Sequence, residues 1–289
     1  MREDPLQLCE RVIEGRYRVD AFVAAGGFGC VYKGHHLQLK RDVAIKVMRV
    51  DEAPDARARE ALEAQFRAEA ETIAQLTHPA VVPVLDFGVS RMPDGVVAPW
   101  MVLEWVSGRT LADDLDARSR MAPRSPAEVL ALVRPVLLAL AKAHAMGVAH
   151  RDIKPQNLML VARDLTREGS SDEAPMKVLD FGISKVLLRD EQRPASGETE
   201  TRSTNLAYTP QYATPEQVTA TRTGPWTDVH QIALVITEML TQRPPYDADD
   251  LMAIRLKVVS HDRPTPARFG VDVGAWEPVL ARALSLIHI

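Results

Sequence analysis

The hydrophobic pattern of the chain changes period at Gly108, and that break limits the folds open to it. Ahead of the break, apolar residues fall in short runs bounded by glycine and proline. Residues 17–36 (YRVDAFVAAGGFGCVYKGHH) read as two strands joined by a glycine turn, and residues 41–50 (RDVAIKVMRV) as a third, rich in Val and Ile. Residues 81–89 (VVPVLDFGV) and 98–106 (APWMVLEWV) are two more strand candidates, with a proline and Gly95 between them as a loop requires. One helix interrupts the series: residues 56–76 (ARAREALEAQFRAEAETIAQL) are strong helix formers and follow Pro54-Asp55.

Beyond Gly108 the pattern is helical. Ser125, Pro126 and Glu128 supply an N-cap, a proline at the first position and a glutamate at the third. Val129, Leu132, Val133, Val136 and Leu140 then share one apolar face. Pro135 is expected to kink this helix and Gly147 to end it. Residues 162–175 (ARDLTREGSSDEAP) are polar and read as a hairpin insertion with no core of its own. The expected architecture is α+β, a small strand-rich lobe followed by a larger helical one.

The bulk composition agrees with that size. The chain has 289 residues, 46% of them hydrophobic and 26% charged, enough to bury one large domain or two lobes sharing a cleft. A formal net charge of −4 gives no reason to expect nucleic acid or a membrane surface as partner. Two cysteines, Cys9 and Cys30, build no disulfide framework and fit a reducing cytoplasm. The start lacks an apolar signal region. The most apolar stretch, residues 130–147, holds Arg134, Pro135 and Lys142, so no membrane segment is expected in this chain, although an anchor past residue 289 is left open.

Four motifs carry chemistry. In AGGFGCVYKG, Gly26 and Gly29 let a backbone turn approach an anion where side chains would block it. Glycine-rich hairpins are common, and this one gains weight from Lys46 in VAIK, an ammonium within an apolar strand that needs a partner or a phosphate. Glu69 lies three residues after Phe66 and four before Ile73, so it shares their buried face and would pair with Lys46; Glu60, Glu63 and Glu71 read as solvated. The strongest signal is HRDIKPQNLML, residues 150–160. There Asp152 can orient a hydroxyl and accept its proton, Lys154 can neutralise a transferring phosphate, and Asn157 can coordinate a metal through its amide oxygen. In KVLDFGISK, Asp180 ends an apolar strand where a hard cation would be held, and Phe181-Gly182 supplies an anchor and a joint. A second LDFGV at residues 85–89 reads as strand and turn only, because no HRD loop precedes it.

In order and spacing these motifs resemble the protein kinase family, specifically its bacterial, eukaryotic-like serine/threonine branch, over roughly residues 17–284. The resemblance implies a two-lobed kinase fold, with an extension at 1–16, a lobe of antiparallel sheet plus one main helix at 17–106, and a mostly helical lobe at 107–289. It implies that Val23, Ala24, Ala25, Gly26, Gly27, Phe28, Gly29, Cys30 and Val31 cover the phosphates of ATP. Ala44 joins the nucleotide site, and Leu103-Glu104-Trp105-Val106 forms the hinge that reads adenine, Leu103 being its gatekeeper. Lys46 would contact the α- and β-phosphates and pair with Glu69. Asp152 would be the catalytic base, Lys154 its assistant at the γ-phosphate, and Asn157 and Asp180 the magnesium ligands. A lysine two residues after the catalytic Asp is the serine/threonine form. YTPQYATPEQ (208–217) resembles the substrate-docking segment, and Asp228, in WTDVHQIALVITEML, the residue that anchors the catalytic loop. The implied partners are ATP and proteins bearing Ser or Thr. Filled catalytic positions argue against a pseudokinase that binds nucleotide without transfer. Thr214-Pro215-Glu216 and Asp228 argue against a kinase of small molecules.

Regulation and departures complete the expectations. Residues 189–204 (RDEQRPASGETETRST) are polar, and phosphate on Thr201 or Ser203, with Thr199 and Thr204 as rivals, would pair with Arg151 and order them. Ala24 and Tyr208 stand where the family has glycines, and Gln231 and Ala233 replace small residues in the anchoring helix. LARALSLIHI stops before the arginine that pairs with Glu216 in the family, so the chain is expected to be truncated. Glu216 is then expected to lack its partner, a loss on the order of 3–5 kcal/mol. His35-His36 reads as an exposed loop pair with no third zinc ligand, and Cys30 as an ordinary thiol.

Overall fold

Alternation of buried and exposed side chains builds the first sheet. The computed structural model describes residues 4–26, 29–48, 56–93, 95, 97–162, 175–181, 209–248 and 250–285. Within them, β1 (Val12–Ile13), β2 (Tyr17–Gly26), β3 (Gly29–His36), β4 (Arg41–Met48), β5 (Val84–Arg91) and β6 (Val97–Glu104) pair antiparallel in the order β1-β2-β3-β4-β6-β5. Every second residue of β3 and β4 is withdrawn from solvent: Cys30, Tyr32, Val43, Ile45 and Val47 are all fully buried. Val19, Trp100 and Val102 join them in one core.

Residues ahead of the first long strand belong to that core. Leu8 and Ile13 are buried in it. Asp4 fastens them, its carboxylate accepting from the Tyr32 hydroxyl at 2.7 Å and from the Cys9 amide at 2.9 Å. At the other end of the sheet Tyr17 donates to Asp86 at 2.6 Å, and Arg16 lies 3.0 Å from the same carboxylate. His35 and His36 are not a loop pair. They end β3, where His36 is buried edge-on against the Tyr17 ring and His35 contacts Asp42 at 3.1 Å. Cross-strand pairing to β2 and β4 keeps both in the sheet.

These strands, with α1 (Ala56–Ala74), form one unit of residues 4–77 and Val82–Val106. The other unit comprises His78–Val81 and the described residues from 107 onward. In it β7 (Gly108–Thr110), β8 (Leu158–Val161) and β9 (Met176–Val178) make a three-stranded antiparallel sheet. The helices are α2 (Leu111–Ala117), α3 (Pro126–Ala145), α4 (Pro215–Val218), α5 (Pro225–Thr241), α6 (Leu251–Val259) and α7 (Trp276–Ala283). The capping box of α3 forms: Ser125 N donates to Glu128 at 2.7 Å while Glu128 N donates to the Ser125 hydroxyl at 3.3 Å. Val129, Val133, Val136, Ala139, Leu140 and Ala143 make its buried stripe, the helix runs on through Pro135, and Gly147, at φ +78, follows its end. Helix α5 is buried nearly all round, from Thr227 to Leu240, which makes it the centre of this unit. Among the described residues no helix is long and apolar enough to cross a membrane.

The expected α+β arrangement of sheet and helices is therefore the one that forms. Gly27, Phe28, Gly182, Tyr208, the insertion residues 163–174, the candidate phosphorylation sites Thr199, Thr201, Ser203 and Thr204, and residues 286–289 lie outside the described residues.

Gly29 shows what one residue contributes. It has φ +144, and a Cβ there would sit 2.1 Å from the Val47 carbonyl oxygen. The glycine thus serves the close approach of β3 to β4, whereas Gly26 has open space where its Cβ would be. Gly29→Ala should destabilise the protein by about 1–3 kcal/mol, seen as a fall of several degrees in melting temperature, while Gly26→Ala should change it little.

Candidate active site

Strand register settles which side chains share a face with Lys46. Its cross-strand neighbours are Val31 on β3 and Met101 on β6, and the same row continues to Ala24 on β2 and Phe87 on β5. Ala44 and Leu103 pair in the next row of that face. Val31, Ala44, Lys46 and Leu103, four of the expected nucleotide residues, therefore line one side of the sheet. Cys30 does not join them. Its side chain is fully buried in the core on the opposite side, leaving only its backbone near this face.

Helix α1 packs on the Lys46 side. The Phe66 ring meets Phe87 edge-on, with centroids 6.3 Å apart. Phe66, Ala70 and Ile73 are its buried positions, and Glu69, partly buried, stands one turn from Phe66 on that stripe. At the end of β6, Leu103 and Val106 are buried, and the Glu104 amide donates to the Pro83 carbonyl at 3.2 Å. Trp105 receives the Lys33 ammonium over its ring at 5.3 Å. Val23, Ala24, Ala25 and Gly26 form an exposed edge of the β2–β3 hairpin.

In the other unit the HRD loop is clamped from below. Asp228 in α5 is fully buried, and its two carboxylate oxygens accept from the amides of His150 at 2.8 Å and Arg151 at 2.5 Å. His144 on α3 adds a contact to the same carboxylate at 2.7 Å. A buried charge is tolerable only with such donors. They hold Arg151 at φ +63, a conformation most side chains avoid. His150 is itself fully buried. The Asp152 amide donates to its Nδ1 at 3.3 Å, so the proton sits on Nε2, which donates to the Leu179 carbonyl at 2.8 Å. Burial holds this imidazole below its ordinary value and keeps it neutral, against the pull of Asp228. Its ring also packs on Phe181, 4.9 Å between centroids.

Asp152 then stands between two donors. Lys154 Nζ lies 3.0 Å from its carboxylate and also donates to the Thr209 hydroxyl at 2.9 Å. Asn157 Nδ2 donates to the Asp152 carbonyl at 2.7 Å and to its carboxylate at 3.1 Å. With the amide nitrogen committed to Asp152, Oδ1 is the atom of Asn157 left to face a cation. Asp180 arrives beside it through strand register: Leu158 pairs with Val178, and the Leu179 amide donates to the Asn157 carbonyl at 2.9 Å. Asp180 has φ +54, a left-handed turn that Asp tolerates better than most residues. An amide oxygen and a carboxylate at one end of a strand pair suit a magnesium ion that takes its remaining oxygens from phosphate and water.

At Glu216 the structure adds a contact that the sequence did not suggest. The residue is buried, but it is not left without a partner: the Thr227 hydroxyl donates to it at 2.7 Å. A buried threonine immediately before the loop's anchor supplies the hydrogen bond, and the sequence offered no cue to it beyond proximity to Asp228. Tyr212 donates to Glu238 at 2.5 Å, both groups being largely buried. Gln231, read from sequence as replacing a small residue, is hydrogen-bonded to the Ile153 amide and to Gln217.

Sequence comparison matches residues 17–285 to the protein kinase domain family. The chain is 34% identical over 263 residues to a probable serine/threonine-protein kinase of Streptomyces coelicolor. It is 34% identical over 261 residues to serine/threonine-protein kinase PknB of Mycolicibacterium smegmatis, and 32% over 278 to serine/threonine-protein kinase pkn3 of Myxococcus xanthus. These alignments take in 91%, 90% and 95% of this chain but 36%, 38% and 47% of the relatives, so the chain spans less than half the length of each. Its fold resembles the PknI kinase domain of Mycobacterium tuberculosis, with a TM-score of 0.65 at 24% identity over 96% of this chain and 91% of that one. A cysteine-to-alanine mutant of that domain gives 0.66 at 26%, over 96% and 90%.

The Tyr212–Glu238 pair sets a pH dependence. Burial pushes the Glu238 carboxyl from an ordinary 4.5 up to about 7, with the Tyr212 hydrogen bond opposing and Asp116 adding to the rise. Between those values the unfolded chain releases a proton that the folded chain keeps, so stability falls as pH rises through the window. The whole contribution is about 3 kcal/mol. Glu238→Gln has no proton to release. Its melting temperature should exceed that of the wild type above pH 7 and draw level below pH 4.5; a difference that stays constant with pH would contradict the assignment.

Proposed function

The chain belongs to the protein kinase family, and from that premise we propose that it transfers the γ-phosphate of ATP, with magnesium, to serine and threonine hydroxyls of protein substrates. Residues 17–106 serve as the lobe that holds the nucleotide, and residues 107–289 as the lobe that receives the protein. The observation that carries this reading is the state of Asp152: a carboxylate between Lys154 and Asn157, on a loop whose backbone Asp228 holds from beneath.

Asp152 orients the acceptor hydroxyl and takes its proton as the oxygen attacks the γ-phosphorus, and the bond from that phosphorus to the oxygen bridging it to the β-phosphate breaks to release ADP. Lys154, already bridging Asp152 and Thr209, neutralises charge on the phosphoryl group in transit. Asn157 Oδ1 and Asp180 hold the magnesium, whose charge offsets that of the phosphate oxygens. Lys46 engages the α- and β-phosphates with Glu69 as its partner. The face bearing Val31, Ala44 and Leu103 takes the adenine, and the β2–β3 hairpin from Val23 to Val31 covers the phosphates. Lysine at position 154 supports serine and threonine as acceptors.

The test is phosphate transfer from labelled ATP to a generic basic protein in the presence of magnesium. The wild-type chain should label it, and Asp152→Asn should lose roughly 100-fold or more of the rate. Labelling by both proteins at similar rates, or by neither, would overturn the role of Asp152 or the activity itself. Self-phosphorylation within residues 189–204 follows from the same reading. The double variant Thr201→Ala, Ser203→Ala should then be less active than the wild type, and unchanged activity would remove those two residues from regulation.

A further inference from the structure

Gln231 is a buried amide on α5, three residues after Asp228. Its Oε1 accepts from the Ile153 amide at 2.8 Å. Its Nε2 faces three acceptors: Gln217 Oε1 at 3.1 Å, the Tyr212 carbonyl at 3.4 Å and the Arg151 carbonyl at 3.5 Å. Gln217 extends the connection, donating to the Arg151 carbonyl at 2.9 Å and accepting from the Thr214 amide at 3.2 Å.

These bonds divide the work on the loop around Asp152. Asp228 takes the amides that lead into it, those of His150 and Arg151. The two glutamines take the groups that flank Asp152 on either side, the Arg151 carbonyl and the Ile153 amide. The same two side chains are bonded to the backbone of the docking segment at Tyr212 and Thr214. A small side chain at position 231 reaches none of these groups.

On the phosphotransfer reading above, we infer that Gln231 is a positioning residue: it locks the peptide groups either side of Asp152 to the segment that docks the protein substrate. Acceptor hydroxyl and base are thereby held in one register. It touches no reacting atom, so its effect falls on the rate of transfer and on use of the protein substrate, while binding of ATP is left to other residues. A loss of register of about 1 Å is enough to cost on the order of 100-fold in rate.

Kinetics of three variants test this. Gln231→Leu keeps the size and removes every hydrogen bond. Gln231→Glu keeps the acceptor for Ile153 but loses the donor, and Gln217→Leu removes the second glutamine. Gln231→Leu should lower kcat by roughly 10- to 100-fold with the KM for ATP within about twofold, Gln231→Glu should lose less, and the Gln217→Leu, Gln231→Leu double variant should lose no more than its worse parent. Thermal unfolding of each variant identifies those that fold. Should Gln231→Leu fail to fold, Gln231→Glu and Gln217→Leu decide the matter. Folded variants with the kcat of the wild type, or with a KM for ATP that rises in step with the loss of kcat, would overturn the inference. Wild-type and Asp152→Asn proteins run alongside separate the two questions. An inactive wild type would overturn the phosphotransfer reading and this one with it, whereas an active wild type beside indifferent glutamine variants defeats this inference alone.

Discussion

The helical unit depends on one buried carboxylate. Asp228 is removed from water, and the cost of that burial is met by hydrogen bonds from the backbone of His150 and Arg151 and from His144. Because the donors are peptide groups, the loop cannot move without leaving a charge unsolvated. That penalty keeps Arg151 in its left-handed conformation. His150 closes the arrangement on the far side. Its neutral ring bonds to Leu179 and packs on Phe181, so the loop and the strand end that carries Asp180 share one rigid support.

The sheet unit solves a different problem, that of placing a cation on an apolar strand. Register does the work. Lys46 is flanked by Val31 and Met101 in a row that ends at Phe87, and Phe87 is the surface on which Phe66 of α1 rests. The position of Glu69 on the Lys46 side of the sheet thus follows from an aromatic contact one helical turn away. The opposite side of the sheet is sealed by residues ahead of Tyr17, with Asp4 bonded to Tyr32. That part of the chain was read from sequence as an extension, and its burial reflects Leu8 and Ile13, too few apolar residues to signal a core on their own.

Expectations drawn from the sequence held where one residue type has one physical solution. The Ser125 capping box, the glycine after α3 and the strands at β3 and β4 are local, and each formed as read. They failed where the answer depended on residues distant in the chain. For Glu216 the sequence showed only that its usual arginine is missing, and it gave no sign of the hydroxyl that Thr227 supplies from α5. The histidines at the end of β3 resembled a polar loop until strand pairing buried His36 against Tyr17. Gln231 read only as the replacement of a small residue, and the convergence of residues 151–153, 212 and 217 on one helix face explains its polarity.

By itself the sequence determined the kinds of element, their order and the chemical identity of the candidate site residues, because hydrophobic period and motif spacing are properties of neighbouring residues. Tertiary structure alone decided which buried polar atoms satisfy one another. A carboxylate or amide inside a protein has to find donors and acceptors wherever the packed chain brings them, and that proximity is set by the fold rather than by separation along the backbone.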